Sequence, residues 1–413
     1  MRIVARGSDP GLVALPWHLP LEEWGDPYVV PVARGLSRHV VRIVRVGGVV
    51  CAVKETQERP AWREYDLLGR LGRLDLPTVV PLAVVTDRTS ADGEDLGACL
   101  VTQFLPHSLP YRVMFSRGLR SESMPALVDA MVVLLVRLHL DGFFWGDVSL
   151  SNVLFRRSAG EFAAYLVDAE TGDLQPTLST GQREHDLVVA SENVFGEMLD
   201  LQGAGLIDAD LDLLPVVERL REQYDALWGE LTATEEFSTA EMWRIERRAA
   251  RLNELGFDIE ELDITTADAG STVRVRPRVV EAGHHRHELR GLTGLDVEEA
   301  QARRLLNDLA SFTAATGSND EDRHVVASVW LSEVYEPVVG MVPRELRGRL
   351  EPAEVFHEIL EHRWYLSERH GRQIDIFDTA ADYVRTVLPY RSTMAPESDE
   401  IDDGVVRELL FGV

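Results

Sequence analysis

The spacing of apolar residues changes along the chain, from a period close to two in the first hundred residues to a period near 3.6 over most of the remainder. The runs VVRIVRV and VVCAVKE are typical of β-strands, and the Gly-Gly pair between them predicts a tight hairpin. The segment DRTSADGED is polar and predicts a loop. The predicted order is β-β-β-α-β-β, with a first strand from Tyr28, a helix at 61–74 and later strands at 76–85 and 98–104.

A long, strongly apolar helix is predicted at residues 124–140, and Gly142 is expected to end it. The apolar run is interrupted by Asp129, Arg137 and His139, so we expect a buried core helix and no membrane span, which needs roughly 18 apolar residues. Helical spacing then continues with one strand-like interruption. The further predicted helices are 183–202, 208–231, 240–255, 297–312, 324–338 and 351–365, and the strand is 271–280.

These patterns predict an α+β fold with at least two domains, as expected for 413 residues of which 45% are hydrophobic. Residues 1–27 are rich in Pro, Gly and Trp and are expected to be an irregular lead-in. Residues 28–205 are predicted to form the mixed domain, and residues 206–390 are predicted to form a helix-rich domain. Residues 391–413 are predicted to be an acidic tail.

Composition narrows the classes of function. A formal net charge of −27 argues against nonspecific binding to nucleic acid or to an anionic membrane surface. Two cysteines, Cys51 and Cys99, are too few for a disulfide framework or a cysteine zinc site, and we expect buried free thiols. The N-terminal sequence MRIVARGSDPGLVAL lacks the features of a secretory signal. A cytoplasmic location is therefore expected.

Three oxygen-bearing side chains follow the long apolar helix in a fixed order. Asp147 is followed by Asn152 five residues later, and Asp168 comes after the strand-like run AAYLV. In phosphoryl transfer, one carboxylate orients the incoming hydroxyl, while an amide and a second carboxylate hold Mg²⁺ on the phosphates of a nucleotide. The alternative is a loop aspartate, an Asx turn and an acid at a strand end. The order and the D-x-x-x-x-N spacing favour phosphoryl transfer.

A second group of candidates lies in the β-rich segment. Lys54 stands in a predicted strand and Glu64 stands ten residues later on the predicted helix, a pattern in which the lysine contacts phosphates and the glutamate holds the lysine. Glu58 is an alternative partner, and a strand-end lysine is often only a solvated charge. The segment from Gln103 to Pro106 follows a strand and is a candidate hinge for adenine, or else a plain exit from the strand.

The motifs WGDVSLSNVLFRR, AYLVDAETG and GQREHDL resemble a bacterial lipopolysaccharide-kinase-like family with a C-terminal domain of unknown function. This family is part of the atypical kinase superfamily, with the RIO-type kinases and aminoglycoside phosphotransferases. The resemblance implies a two-lobed, protein-kinase-like fold (lobes 28–105 and 106–205) followed by a mostly helical domain. It implies ATP- and Mg²⁺-dependent transfer to a hydroxyl of an unknown small molecule, lipid, sugar or protein. The implied residues are Asp147 and Lys54 for catalysis; Lys54, Glu64, Gly35, Gln103, Phe104 and Leu105 for nucleotide; and Asn152, Asp168 and Glu170 for metal.

The chain departs from the family pattern at several positions. Trp145 replaces the histidine that usually precedes Gly-Asp, and Ser149 stands where typical protein kinases have a lysine. The glycine-rich loop is reduced to Gly35, whose flanking arginines either contact phosphates or are simply exposed. Glu170 is either a metal ligand or a cap for the next turn. These departures leave two alternatives open: a catalytically weak or inert kinase-like scaffold that binds nucleotide and a macromolecular partner, and an enzyme that transfers AMP.

A basic island extends from Arg274 to Arg290 in the otherwise acidic second half. It is a candidate site for an acidic or phosphorylated ligand or a nucleic acid, although a face of internal salt bridges is the favoured interpretation. The histidines His284, His285 and His287 are candidate metal ligands without a carboxylate or cysteine at standard spacing. The run from His357 to His362 is predicted to be an exposed helix, because its histidines do not share a helical face.

Overall fold

The computed structural model of the chain describes residues 1–6, 10–25, 27–30, 39–232, 235–238, 261–267, 272–278, 284–318, 321–372 and 374–391. The chain forms two compact units. The first contains Met1–Arg156 and Ala164–Arg221, and the second contains Arg157–Ala163 and Glu222–Met394. Gly35 with its flanking arginines, the predicted helix 240–255 and the tail from 392 lie outside the described residues.

The secondary structure is mixed, with strands concentrated in the first unit and helices prominent in the second. The strands are β1 (Arg2–Ala5), β2 (Val41–Val46), β3 (Val49–Thr56), β4 (Pro81–Thr86), β5 (Arg88–Thr89), β6 (Asp95–Leu96), β7 (Ala98–Gln103), β8 (Ser108–Pro110), β9 (Phe143–Phe144), β10 (Val153–Ser158), β11 (Glu161–Leu166), β12 (Asp173–Leu174), β13 (Glu235–Ser238), β14 (Glu261–Ala267) and β15 (Thr272–Arg278). The helices are α1 (Glu58–Arg73), α2 (Tyr111–Ser116), α3 (Met124–Leu140), α4 (Thr180–Gly203), α5 (Leu214–Thr232), α6 (His284–Thr293), α7 (Glu299–Thr316), α8 (Arg323–Trp330), α9 (Glu336–Gly340), α10 (Pro352–His370) and α11 (Ile376–Thr386).

The first unit contains an antiparallel sheet with the strand order β1-β4-β7-β3-β2, against which α1 packs. The predicted hairpin between β2 and β3 is confirmed. Gly47 and Gly48 have φ of 56° and 102°, the positive values that a two-residue turn of this kind requires and that glycine adopts without strain. The order β2, β3, α1, β4, β7 follows the apolar pattern, and the α+β fold is the predicted one. The strand predicted from Tyr28 is represented among the described residues only by an isolated bridge between Val29 and Val44.

The N-terminal lead-in is more ordered than its composition suggested. The segment Arg2–Ala5 is a strand that pairs with β4, and Pro10–Ala14 forms a 3₁₀ helix. The indole rings of Trp17 and Trp24 are buried and meet edge to face with centroids 5.0 Å apart. The expectation of an irregular lead-in is therefore wrong for these residues, since a strand of four residues is too short to produce a clear alternation.

Arg88 is a buried cation in the segment that was predicted to be a polar loop. The segment instead forms the β5–β6 hairpin, and Arg88 is only 1% exposed. Its guanidinium donates to the carbonyl oxygens of Leu19 at 2.6 Å and Gly97 at 2.7 Å, and to the carboxylate of Glu55 at 2.5 Å. Glu55 follows Lys54 on β3, so Arg88 fastens the lead-in to the strand that carries the lysine.

The predicted apolar helix is confirmed as α3, Met124–Leu140, and Gly142 follows it with φ of 79°. The segment Ser121–Leu140 meets the length and composition of a membrane-crossing helix, a criterion that the chain was expected to miss. Within the most apolar window, however, 61% is buried in the protein, as is usual for a core helix. Length and composition alone do not demonstrate a membrane span.

The second unit has a helical core with an aromatic centre. The rings of Trp330, Tyr335 and Phe356 lie within 5.1–5.9 Å of one another, centroid to centroid. His357 and Glu358 on α10 are buried as well, so the prediction of an exposed helix is wrong for its first half. The exposed part of α10 comes later, around Trp364 and Tyr365.

A buried carboxylate holds the turn between β10 and β11 inside the second unit. Glu354 is 0% exposed and accepts from the backbone N–H groups of Ala159 and Gly160, each at 2.8 Å. The side-chain amide of Gln301 donates to the same carboxylate at 2.8 Å. Since β10 starts directly after Asn152 and β11 ends two residues before Asp168, this turn belongs to the hairpin that connects two candidate site residues.

Acidic residues contact the part of the basic island that lies on α6. On the strands, the backbone register pairs Arg276 with Asp263 and Arg278 with Glu261. On α6, His285 lies 2.6 Å from Glu299, and the guanidinium of Arg286 donates to Asp296 at 2.8 Å. The two α6 contacts favour internal salt bridges over a ligand site for that part of the island, and among the described residues no candidate metal cluster includes His285 or His287.

Candidate functional site

The lysine and glutamate predicted on β3 and α1 are in contact. The ammonium of Lys54 lies 3.0 Å from Glu64 Oε2, and Glu64 is fully buried. The strand presents Lys54 toward the helix, while Glu58, the alternative partner, is exposed at the start of α1. The pairing follows from the β3–α1 connection, which places a residue two turns into the helix beside the end of the strand.

Asp168, which is 114 residues further along the chain, reaches the same ammonium. Its Oδ2 atom lies 2.8 Å from Lys54 Nζ, and Glu170 Oε2 lies 3.6 Å from it. Oxygen atoms of Glu64, Asp168 and Glu170 all lie within 4.8 Å of one another. Three carboxyl groups beside one ammonium give the cluster an excess of acidic groups, which a divalent cation can balance.

The donor set also fits a hard cation. Mg²⁺ takes oxygen ligands, and carboxylates on phosphate-binding sites are its usual protein ligands. The Oε2 atom of Glu170 and the Oε1 atom of Glu64 are buried without a hydrogen-bond partner among the described residues. Buried oxygens of this kind are costly unless something pairs with them. We conclude that the cluster has oxygen atoms to offer to a cation.

Burial and charge act on this cluster in opposite directions. Burial raises the pKa of Glu64 to about 8, although the Lys54 ammonium works against this shift. Burial acts to lower the pKa of Lys54, but the charges of Glu64 and Asp168 outweigh it and raise that pKa above its ordinary value. Lys54 therefore stays charged. Of the three carboxyl groups around it, Glu64 is the one that stays protonated near neutral pH.

This shift predicts a pH dependence of stability. Since the pKa of Glu64 rises from 4.5 in the unfolded chain to about 8 in the folded protein, the folded protein holds a proton that the unfolded chain has lost. The free energy of unfolding should therefore fall as the pH rises between these two values. Urea unfolding of the wild type and of Glu64→Gln at about pH 5 and about pH 8 tests the shift, because glutamine does not titrate. Parallel pH dependences of the two proteins would contradict it.

Lys54 is also distinctive in composition. Of the 42 lysine and arginine residues in the chain, 41 are arginines, and Lys54 is the single lysine. Arginine serves wherever the protein needs a basic surface charge. Lysine provides a compact point charge that arginine does not. The single lysine of this chain is the one whose ammonium lies beside three carboxyl groups. The residue count alone is therefore a signal for this position.

Asp147 and Asn152 form the second half of the site. The amide nitrogen Nδ2 of Asn152 donates to the carbonyl oxygen of Asp147 at 3.0 Å and to its Oδ2 at 3.2 Å. The N–H of Val167 donates to the Asn152 carbonyl oxygen at 3.1 Å, which places Asn152 beside the residue before Asp168. Because the NH₂ group of Asn152 is turned toward Asp147, its Oδ1 atom remains available to a cation.

The loop that carries Asp147 is held by residues on α4 that the sequence did not single out. Asp186 is buried and accepts from the backbone N–H groups of Trp145 at 2.9 Å and Gly146 at 2.8 Å. Its Oδ2 atom also lies 3.0 Å from His139 Nε2 on α3. Trp145 is itself buried. The only local signal is the motif GQREHDL, which contains Asp186.

Two backbone N–H groups of the candidate hinge, those of Gln103 and Phe104, form hydrogen bonds with neighbouring segments of the protein. The N–H of Gln103 donates to Val80 at 2.8 Å, and that of Phe104 donates to Val50 at 2.9 Å. These two N–H groups therefore serve the strand and not a base, which leaves Leu105 as the residue of the three that can present an N–H. A cavity of about 540 Å³ borders Glu170, but its lining contains neither Asp147 nor a hinge residue.

Three comparisons with known proteins complete this description. Residues 226–388 match the family model of a domain of unknown function, DUF4032. This match agrees with the resemblance to proteins that carry a C-terminal domain of unknown function. No curated protein matches the chain. One solved structure, described as "WaaP in complex with acyl carrier protein", is similar at 17% identity and a TM-score of 0.35, over 62% of this chain and 99% of that chain.

Proposed function

We propose that the chain is a kinase-like phosphotransferase that uses ATP with Mg²⁺ and transfers a phosphoryl group to a hydroxyl acceptor. The observation that carries the proposal is the position of the single lysine, whose ammonium bridges Glu64 on α1 and Asp168 after β11. Segments distant in sequence bring the two carboxylates to one cation, which is the arrangement that orients a triphosphate. The nature of the acceptor, whether small molecule, lipid, sugar or protein, stays open.

Each residue has a role in this proposal. Lys54 binds phosphate oxygens, and Glu64 holds its ammonium in place. Asp147 orients the acceptor hydroxyl and accepts its proton. Asn152 and Asp168 would hold Mg²⁺, with Glu170 as a further ligand, and the ion would neutralise charge on the phosphates. Leu105 is the candidate donor to adenine.

The proposal predicts that arginine will not replace the single lysine. A guanidinium is planar and larger than an ammonium, so in Lys54→Arg it cannot lie 3 Å from two carboxylates and also contact phosphates. We expect ATP turnover to fall roughly 100-fold in Lys54→Arg, close to the loss in Lys54→Met, because a misplaced donor stabilises the transition state little better than a missing one. Arg59→Lys on the exposed start of α1 is the matched control and should leave turnover unchanged.

The measurement uses purified protein, Mg²⁺ and ATP labelled at either the α- or the γ-phosphate. Label transfer or slow hydrolysis from γ-labelled ATP supports phosphoryl transfer, whereas incorporation of the α-label indicates AMP transfer. Because the chain has one lysine, an acyl-phosphate derivative of ATP that acylates amines reports separately on binding: mass spectrometry should find the adduct on Lys54, and ATP should suppress it. Labelling without any turnover would identify a nucleotide-binding scaffold, and the absence of both would overturn the proposal.

A further inference from the structure

Three polar side chains on α4 form a row, which comprises Asp186, Asn193 and Glu197. The second and third residues follow the first by seven and eleven positions, close to two and three turns of a helix. At 3.6 residues per turn, the three therefore point within about 40° of one another. We name this set the α4 polar row.

The α4 polar row contacts the Asp147 loop in register. As the row advances along the helix, its hydrogen-bond partners advance along the loop. The partners of its three members are, in order, Trp145 and Gly146, then Asp147 and Val148, then Leu150 and Ser151. Successive parts of the loop on both sides of Asp147 are thus attached to one rigid element.

Asn193 acts directly on the candidate catalytic carboxylate. Its Nδ2 atom donates to the Val148 carbonyl oxygen at 2.9 Å and lies 3.4 Å from Asp147 Oδ1. Asn152 donates to the other oxygen, Oδ2, at 3.2 Å. One amide on each side of the carboxylate limits rotation of the Asp147 side chain to a single orientation.

Glu197 fixes the backbone that follows. Its two carboxylate oxygens accept from the N–H groups of Leu150 and Ser151, each at 2.8 Å, and the Ser151 hydroxyl donates to the same group. These donors stand immediately before Asn152. The two ends of the D-x-x-x-x-N motif are therefore positioned by Asn193 and Glu197, one helical turn apart.

We propose that Asn193 and Glu197 are positioning residues for phosphoryl transfer, and that they act through Asp147 and Asn152. This inference rests on the proposed function. Attachment of α4 to the protein does not require them, because apolar side chains of Leu187, Val194 and Met198 already bury its other positions. What the polar row adds is a fixed orientation of the reacting carboxylate, and small displacements of such a group are costly to the rate.

The experiment compares Asn193→Leu with the wild type in steady-state ATP hydrolysis with Mg²⁺. Leucine has a similar shape but cannot donate to Asp147. We expect kcat to fall roughly 10- to 100-fold while KM for Mg-ATP stays unchanged, since Asn193 touches no phosphate-binding residue. Acylation of Lys54 by the ATP-derived acyl phosphate should proceed as in the wild type. Glu192→Ala, on an exposed position of the same helix, is the matched control.

Glu197→Gln provides a second variant that keeps the size of the side chain. Its amide retains only one oxygen that can accept from the Leu150 and Ser151 N–H groups, so we again expect a lower kcat. Full kcat in both variants would overturn the positioning role while leaving the proposed function intact. If kcat, the melting temperature and Lys54 labelling all fall together in these variants, the α4 polar row has only a structural role. A wild-type protein without turnover would overturn both proposals.

Discussion

Replacing Asp168 with alanine should abolish Mg²⁺-dependent nucleotide binding. Asp168 contributes one of the clustered carboxylates, its Oδ2 atom lies 2.8 Å from Lys54 Nζ, and its Oδ1 atom accepts from the N–H of Glu170 at 3.3 Å. The variant therefore loses the proposed metal ligand, a partner of the ammonium and the contact that orients Glu170. Outer-shell partners of a metal are worth about 10- to 100-fold in affinity, so we expect a loss of a bound ligand to exceed about 100-fold.

Binding is measured with a fluorescent ATP analogue, in Mg²⁺ and again in excess chelator. The wild type should bind far more tightly with Mg²⁺, whereas Asp168→Ala should bind weakly and equally in both conditions. Asp173→Ala is the matched control, because Asp173 is exposed five residues later and its carboxylate accepts only from Gln175 among the described contacts. If Asp168→Ala retains full affinity for Mg-ATP, the assignment of the metal site is wrong.

The sequence predicts an element well when the residues that determine it lie within one short stretch of the chain. The helix α3 has 17 residues with an apolar run and a glycine two positions after its end, and its predicted and observed bounds coincide. The β2–β3 hairpin depends on two adjacent glycines. The proximity of Lys54 and Asp168 was predicted from the order of the lysine, aspartate and asparagine motifs along the chain. That order resembles the order in kinase-like folds, in which these residues lie close together.

The residues that escaped prediction owe their position to distant segments. Asn193 and Glu197 are ordinary polar residues on a helix, and nothing local distinguishes them from solvated ones. Only the packing of α4 on the Asp147 loop gives them partners 45 to 47 positions away. Likewise, β1 has only four residues, and it is a strand because its backbone pairs with the edge of β4. Lys54, in contrast, was predicted from its strand and the helix that follows, and the residue count, which contains one lysine, is a further signal that the prediction did not use.

Arg88 illustrates the same limit and leads to the second large prediction. In a polar segment an arginine is expected to be solvated, yet this side chain is buried and donates to carbonyl oxygens of Trp17, Leu19 and Gly97. It also pairs with Glu55, which in turn accepts from the N–H of Leu21 at 3.3 Å. Replacing Arg88 with methionine removes the guanidinium donor from these three carbonyl oxygens and the counter-charge from Glu55.

The free energy of unfolding of Arg88→Met should fall by about 3–5 kcal/mol, the cost of breaking a buried ion pair from one side. Urea unfolding followed by tryptophan fluorescence measures the loss, because Trp17 and Trp24 lie in the segment that Arg88 fastens. Arg59→Ala is the matched control, since an exposed arginine of α1 should contribute within about 0.5 kcal/mol. The double variant Arg88→Met/Glu55→Gln should recover part of the stability, because it removes the charge that the single variant leaves unpaired. A loss below about 1 kcal/mol in Arg88→Met would mean that the lead-in is held by its tryptophans and not by this guanidinium.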